Sequence, residues 1–328
     1  MDEPRPSRSL QLTGLADVWA VMRRGKPGDT EPVGLILMVV SAAAFALMAA
    51  FAKKLLPDTP TQAVVLSRGL MMTAVFVIAA RWSGASIVGR RPGLLLARGL
   101  FGYVALSCYF YSVQHLPLGD AVLLQYSHPI FVGLIASIFL GESVARGHWW
   151  LVLVSLVGVG LIVSPAGQLR VDALVGVAGA LMSGMAYLLV RRLSRTESPM
   201  TILVWFPMVS IPFSLAATLA VGESVIPRNG REVWGHVLVT LAALVGQVAL
   251  TLGLARAGAA RATAVTLSGP VFGVAYGFAL FGTVPTAASI GGMALVLSAL
   301  ALLGWRQRDL RRDERAGPTG SRSRRWSG

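Results

Sequence analysis

Long apolar runs separated by short polar loops dominate the sequence. Ten of these runs have about the length that a helix needs to cross the hydrocarbon core of a membrane, roughly 20 residues. They are continuous and lack the strict alternation of barrel strands, so they predict transmembrane helices. The predicted spans are residues 33–52, 62–80, 94–116, 120–141, 148–163, 173–193, 200–221, 233–254, 260–281 and 286–305.

The composition agrees with a protein that crosses the bilayer many times. Of the 328 residues, 55% are hydrophobic and 13% are charged, whereas soluble domains carry about 25% charged residues. The single cysteine, Cys108, excludes a disulfide scaffold and a multi-cysteine zinc site. The four histidines are widely spaced, and the chain contains no Gly-rich ATP-binding motif. We therefore expect neither a metal nor another cofactor.

The positive charge of the chain predicts its orientation. The net charge is +14, and the basic residues concentrate in the two tails and in alternate loops. Because cytoplasmic loops carry the excess of Lys and Arg, we expect both termini in the cytoplasm of a bacterium, with the helices in its cytoplasmic membrane. Residues 1–32 are predicted as a disordered segment and residues 306–328 as a basic tail. The same charge favours anionic membrane lipids, and not nucleic acid, as partners.

The two halves of the chain resemble each other. Residues 127–131 (Ser-His-Pro-Ile-Phe) match residues 268–272 (Ser-Gly-Pro-Val-Phe), and the first predicted span matches the sixth. We therefore predict two five-helix repeats, residues 33–165 and 172–305. Because five is odd, the second repeat enters the membrane from the opposite side. The predicted fold is an all-α membrane protein with ten transmembrane helices in two inverted five-helix repeats, which is typical of alternating access around a central site.

One run in the first half resembles a known family. Residues 109–121, the Ser-His-Pro-Ile-Phe string, and the pair Gly141 and Glu142 at the end of the fourth span are similar to the EamA-type drug/metabolite transporter superfamily. They most resemble its branch of S-adenosylmethionine carriers and related organic-anion or metabolite carriers. The resemblance implies ten helices, a central cavity and transport of small organic metabolites. The second half departs from the pattern, since Thr283 follows Gly282 where the family often has Glu.

The fourth span contains the strongest candidate for a binding site. Gln125, Tyr126 and His128 are polar residues inside an apolar helix. Pro129 has no N–H, so the carbonyl four residues back loses its helical partner, and Pro270 does the same in the second half. Unpaired carbonyls in a membrane interior are costly unless they face a cavity, water or substrate. We predict two helix kinks at a central site, and the alternative is a pair of kinks that serve packing alone.

Other polar and aromatic residues form stripes on neighbouring helices. The third and eighth spans each carry such a stripe at helical spacing, and the two could line opposite walls of a cavity. Interhelical hydrogen bonding is the alternative. His128 is expected to line the cavity or to carry a proton, and the alternative is a neutral, hydrogen-bonded core residue. The predicted substrate-binding residues are Tyr103, Ser107, Phe110, Gln114, Gln125, Tyr126, His128, Tyr187, Gln247, Thr266 and Ser268.

Three charged residues are candidates for pairing with a charged substrate or with one another. Arg68 lies about 9 Å inside the outer end of the second span, and Arg98 lies near the inner end of the third. Each arginine is predicted either to extend to the interface or to pair with a carboxylate. That carboxylate would belong to the substrate, to Asp120 or to Glu142.

These features predict a secondary transporter and not an enzyme. It would move a small organic metabolite, such as an amino acid, an amine, or a nucleoside-like or drug-like solute, by alternating access, as a monomer or homodimer. No carboxylate is predicted at mid-membrane, which favours facilitated diffusion or exchange over proton coupling. The alternative is a membrane-embedded enzyme acting on a lipid-linked substrate. Its candidate groups, Asp120, Glu142 and His148, form no recognised catalytic arrangement.

Overall fold

The computed structural model describes residues 31–84, 86–139, 146–163, 170–222, 224, 226–256, 265 and 267–316. Every regular element in these ranges is an α-helix. The helices are α1 (Glu31–Leu55), α2 (Thr61–Ser83), α3 (Pro92–His115), α4 (Leu118–Tyr126), α5 (His128–Phe139), α6 (Arg146–Val163), α7 (Val171–Leu193), α8 (Pro199–Ala220), α9 (Gly230–Arg256), α10 (Gly269–Phe281) and α11 (Ala287–Ala316).

Six of the described helices are long and apolar enough to cross a membrane, namely α1, α2, α3, α7, α8 and α9. Shorter apolar segments lie in α6 (Leu153–Ile162), in α10 (Gly269–Phe281) and in α11 (Ala287–Ala299). Large apolar side chains also lie exposed on the outside of the bundle, among them Ile36 and Leu153. A water-facing surface would not carry so many of them, whereas a lipid-facing one requires them. The chain is therefore an integral membrane protein.

The fourth predicted span, residues 120–141, is divided into two helices. Helix α4 ends at Tyr126 and α5 begins at His128. Pro129 is the second residue of α5, where its missing N–H costs little because a helix start has no intrahelical acceptor for it. Ser127, between the helices, donates its hydroxyl to the carbonyl of Leu124 at 2.6 Å. The sequence predicted a kink here, and the structure interrupts the helix at Ser127, whose backbone stays in the right-handed helical region; we call this interruption the break.

The second half has a corresponding helix start. Helix α10 begins at Gly269, with Pro270 in its first turn. The ninth predicted span, residues 260–281, began earlier, but residues 257–264 and 266 lie outside the described part of the chain. Each proline therefore stands in the first turn of a short helix.

The two halves of the chain pack closely against each other. Helix α1 lies along α9, α3 along α7, α2 along α8, α6 along α11, and α4 against α10. Small residues allow these close approaches. A Cβ atom on Gly158 or Gly292 would collide with the backbone carbonyl of the other glycine, and one on Gly246 would press on the ring of Phe45. The pairing places the α4–α5 break inside the bundle, next to α7 and α10.

One end of the bundle is held by charged and polar side chains, and we call it the tied end. It comprises Lys53, Gln114, Asp120, Arg170 and Asp172. The side chain of Gln114 accepts a hydrogen bond from the hydroxyl of Thr61 at 2.5 Å. The ammonium of Lys53 lies at the C-terminus of α3. Lys53 Nζ donates to the carbonyls of Val113, Gln114 and Leu116 at 2.8, 3.2 and 2.8 Å. These are carbonyls that a helix end otherwise leaves without partners.

The remaining contacts of the tied end join the two halves. Arg170 donates through Nη2 to the carboxylate of Asp120 at 3.0 Å. The same carboxylate accepts a hydrogen bond from the hydroxyl of Ser289 at 3.2 Å. The hydroxyl of Tyr111 donates to Asp172 at 2.7 Å. These contacts hold the two halves together at this end of the bundle.

Candidate substrate-binding site

The break in the fourth span is stabilised by the His128 side chain. Its Nδ1 lies 2.9 Å from the carbonyl oxygen of Gln125, the carbonyl that Pro129 leaves without a helical donor. Because a carbonyl only accepts, Nδ1 must carry the proton and donate it. The neutral ring then has its lone pair on Nε2, which is free to accept a hydrogen bond from a donor on that side.

Helix α7 of the second half lines the break. Gln125 Nε2 donates to the hydroxyl of Ser183 at 2.9 Å, and the ring of Tyr187 stacks on His128 with centroids 4.5 Å apart. These α7 residues are one turn apart and so share a face. Tyr187 is 49% exposed, which means that its ring borders open space. In this region the structure brings together three predicted site residues, Gln125, His128 and Tyr187.

Gln125 has one polar atom that no described residue satisfies. Its Oε1 is buried and accepts no hydrogen bond, although most buried side-chain polar atoms have a partner. This unpaired acceptor, on a residue whose backbone carbonyl bonds His128, suits a ligand that donates hydrogen bonds. The break therefore offers two acceptors and an aromatic surface.

Tyr126 lies on the side of the break that faces the second half. Its ring lies against Gly269, where even a methyl group would collide with it. The glycine therefore provides the space that the phenol occupies. Ser268, the neighbouring candidate, donates its hydroxyl to the carbonyl of Val265 at 2.7 Å and so closes the turn before α10.

The stripe predicted on α3 is divided among three environments. Tyr103 and Ser107 donate their hydroxyls to Oε1 of Gln62 on α2, at 3.1 and 3.4 Å. Phe110 is 1% exposed and belongs to the apolar core. Gln114 lies at the tied end, where its amide donates to the carbonyl of Thr59 at 2.8 Å. Eleven residues of helix extend about 16 Å, so one stripe reaches from the centre to the end.

Two other candidates are Gln247 and Thr266. Gln247 is on α9, which packs along α1, and its backbone carbonyl accepts the hydroxyl of Thr251 at 2.8 Å. Among the described residues no hydrogen bond joins its side chain to Gln125 or His128, and its place in the site stays a prediction. Thr266 lies outside the described part of the chain.

Arg68 and Arg98 meet on one aromatic ring. The guanidinium of Arg68 lies 5.7 Å from the centroid of Phe206, and that of Arg98 lies 4.5 Å from it. Arg68 is only 3% exposed, so its side chain lies inside the protein and does not extend to the interface. Of the two carboxylates considered as their partners, Asp120 is instead paired with Arg170 at the tied end, and Glu142 lies outside the described part of the chain.

Several contributing residues were not among the sequence candidates. Gln62 and Ser183 are polar residues inside apolar spans, a signal that could have identified both. Phe206 carries no such signal, because phenylalanine is ordinary in a membrane helix. Its position between two arginines depends on how α8 packs against α2 and α3.

An all-helical membrane protein with a broken helix and polar groups at the contact of its two halves has the architecture of a solute transporter. The chain belongs to the EamA-like transporter family, whose profile matches residues 32–164 and again residues 172–305. This membership confirms the resemblance seen in the sequence. The family is one of transporters and not of enzymes.

Known proteins similar to this chain are also transporters. The pseudopaline exporter CntI of Pseudomonas aeruginosa is 32% identical, over 84% of this chain and 97% of that protein. A riboflavin transporter of Rhizobium johnstonii is 27% identical, over 81% and 89%. Solute carrier family 35 member G1 of Mus musculus is 24% identical, over 85% and 81%. A crystal structure shares the fold with a TM-score of 0.60 and 19% identity, covering 85% of this chain and 99% of the other.

Proposed function

We propose that this protein is a secondary transporter that moves a small organic metabolite across the bacterial cytoplasmic membrane by alternating access. The observation that carries the proposal is the α4–α5 break. There Gln125, whose Oε1 has no partner among the described residues, bonds Ser183, and the imidazole of His128 stacks on Tyr187, both from the other half of the chain. A site between two halves is exposed to one side and then the other when the halves rock.

The finer architecture belongs to the same proposal: ten transmembrane segments in two inverted repeats, residues 33–165 and 172–305. The pairing of helices supports it. In the repeat, the first span corresponds to the sixth and the third span to the eighth. A contact between the first and eighth spans (α1 with α9) therefore requires an equivalent contact between the sixth and third (α7 with α3). Both contacts are extensive. The second and seventh, fourth and ninth, and fifth and tenth segments pair with their own counterparts.

The orientation proposed from the charge pattern places both termini in the cytoplasm. Basic loops and the basic tail would then lie against anionic lipids of the inner leaflet. The solute class is an amino acid, an amine, or a nucleoside-like or drug-like compound, and the protein acts as a monomer or homodimer. The enzyme alternative is not favoured, because the Asp120 carboxylate that it would use is bound by Arg170 and Ser289.

The test compares small metabolites inside and outside bacterial cells that express the wild type, a Tyr126→Ala/His128→Ala variant, or no protein. A matched control is His115→Ala. Like His128, His115 bonds a backbone carbonyl through Nδ1 at 2.8 Å and stacks on a tyrosine at 4.0 Å, but it is exposed at a helix end. All variants are compared at equal abundance in the membrane.

The expected result is a compound class that crosses the membrane with the wild type and with His115→Ala but not with the double variant. If the double variant transports like the wild type, the protein is a transporter whose site lies elsewhere. If cells with and without the protein have the same profiles in rich and in defined medium, the transport function itself is contradicted.

A further inference from the structure

The arginine pair, defined as Arg68 and Arg98 with the ring of Phe206 between them, is the part of the described structure with the least satisfied charge. Nε of Arg68, and Nε and Nη1 of Arg98, are buried without a hydrogen-bond partner among the described residues. Both guanidinium groups lie within 5.7 Å of the centroid of the Phe206 ring. Two like charges are thus held together inside the bundle.

No described carboxylate forms a salt bridge with Arg68 or Arg98, and three of the carboxylates have partners elsewhere. Asp120 binds Arg170, and Asp172 accepts the Tyr111 hydroxyl. Glu197 accepts the backbone N–H groups of residues 90 and 91, each at 2.7 Å. Within the described residues the Asp120–Arg170 pair is the single salt bridge. The arginine pair therefore has no protein counter-ion in this part of the chain.

Such an arrangement is costly in a membrane protein. A charge removed from water needs an opposite charge or several hydrogen bonds, and charged residues inside membrane segments usually pair or line a substrate path. The cation–π contact with Phe206 compensates for only part of that cost. The guanidinium nitrogens left without a partner, Nε of Arg68 and Nε and Nη1 of Arg98, instead suit a carboxylate or phosphate, whose oxygens accept hydrogen bonds from guanidinium groups.

We propose that the arginine pair is a subsite for an oxyanion group, a carboxylate or phosphate, of the transported solute. The proposal rests on the proposed transport function and narrows its substrate class to organic anions and zwitterions. Arg98 is on α3, which packs along α7, and α7 carries Tyr187, whose ring stacks on His128. This helix pairing connects the arginine pair with the break, where Gln125 and His128 would bind an uncharged polar part of the same solute.

The test uses the full-length protein in the same cells and sorts the exported or imported compounds by chemistry. Compounds that depend on the wild type are divided into those with a carboxylate, those with a phosphate and those with neither. An Arg68→Gln/Arg98→Gln variant is compared with Arg81→Gln, a control that removes an exposed arginine from the last turn of the same helix α2.

We expect every strongly transported compound to carry a carboxylate or a phosphate. Whichever of these two groups the transported compounds share is the oxyanion that the subsite binds. The double Gln variant should lower the transport rate about tenfold or more, because two charge-assisted contacts are lost. Arg81→Gln should transport like the wild type. Transported compounds that are neutral or purely cationic would overturn the subsite and leave the transport function intact, as would undiminished transport by the double Gln variant.

Lysine variants separate binding from folding if the double Gln variant is missing from the membrane. Arg68→Lys and Arg98→Lys keep the positive charge but lose the planar fork. Each should raise the solute concentration needed for half-maximal transport, with the maximal rate retained. Unchanged half-saturation in both Lys variants would contradict oxyanion binding by these residues. A complete absence of transported compounds with the wild type would instead contradict the proposed function.

Discussion

The tied end and the arginine pair both hold charged side chains within the helix bundle, but they differ in the partners of those charges. Every charged side chain of the tied end has at least one hydrogen-bond partner, although Nε of Arg170 is buried without one among the described residues. At the tied end, Lys53 has three carbonyls and Asp120 has Arg170 and Ser289. At the arginine pair, guanidinium nitrogens of Arg68 and Arg98 are buried with no partner among the described residues.

This difference separates structural charge from charge that awaits a ligand. Polar groups that hold a fold together are satisfied by the fold itself, because an unsatisfied one costs stability. Groups left unsatisfied persist where a ligand completes them. The comparison predicts that charge removal destabilises the protein at the tied end and impairs transport at the arginine pair.

The largest effect is expected for Arg170→Gln, which leaves the Asp120 carboxylate buried without its counter-charge. Asp120 is 2% exposed, and loss of one member of a buried pair lowers the free energy of unfolding by about 3 kcal/mol. Unfolding of the purified protein in detergent measures this. Arg228→Gln, an exposed arginine in the described loop before α9, is the control.

A double-mutant cycle sharpens that measurement. The Asp120→Asn/Arg170→Gln variant should lose clearly less unfolding free energy than the sum of the losses in the two single variants, since the two groups interact directly. Additive effects would show that the ion pair contributes nothing to the tied end.

Lys53→Met is expected to cause the second-largest loss of unfolding free energy. It removes the donor for three carbonyls at the end of α3, and unsatisfied buried acceptors cost about 2 kcal/mol in total. The neighbouring residue is a matched control, because Lys54 is exposed and Lys54→Met should leave the unfolding free energy unchanged. Equal losses of unfolding free energy in the two variants would mean that water replaces Lys53 as the hydrogen-bond donor to these carbonyls.

Gly269→Ala tests the centre of the bundle by steric means. The added methyl group must displace the Tyr126 ring, which is the far end of a flexible side chain, so the unfolding free energy should fall by only about 1 kcal/mol. Transport should fall much more. Gly93→Ala is the control, since Gly93 also lies in the first turn of a helix and has open space around it. Normal transport by Gly269→Ala would show that the position of Tyr126 is unimportant.

The smallest change in stability is expected for Arg68→Met. Replacing an unpaired buried charge by an apolar side chain is neutral or stabilising, so the unfolding free energy should stay the same or rise by about 1 kcal/mol. The same unfolding assay as for Arg170→Gln measures it. A loss of stability as large as that of Arg170→Gln would remove the distinction between the two regions.

The helices and the position of the break were within reach of sequence reasoning. A continuous apolar run has few alternatives in a membrane, because its backbone must satisfy itself as a helix. Pro129 marks the break because it lacks an N–H. The stripe on α3 was a weaker guide, since helical periodicity identifies one face but not the depth at which each residue lies. Phe110 and Gln114 share that face with Tyr103, yet they lie in the core and at the tied end.

The sequence was therefore enough for the membrane class, which depends on local composition and periodicity. It was also enough for the transporter family, through the resemblance of residues 109–121 and of the Ser-His-Pro-Ile-Phe string. The sequence was not enough to identify the partners of the charged residues. Arg68, Arg98 and Phe206 come from three different helices, and Asp120 pairs with Arg170 50 residues away. Which side chains meet depends on the rotation and depth of each helix against its neighbours, and that is a property of the packed bundle.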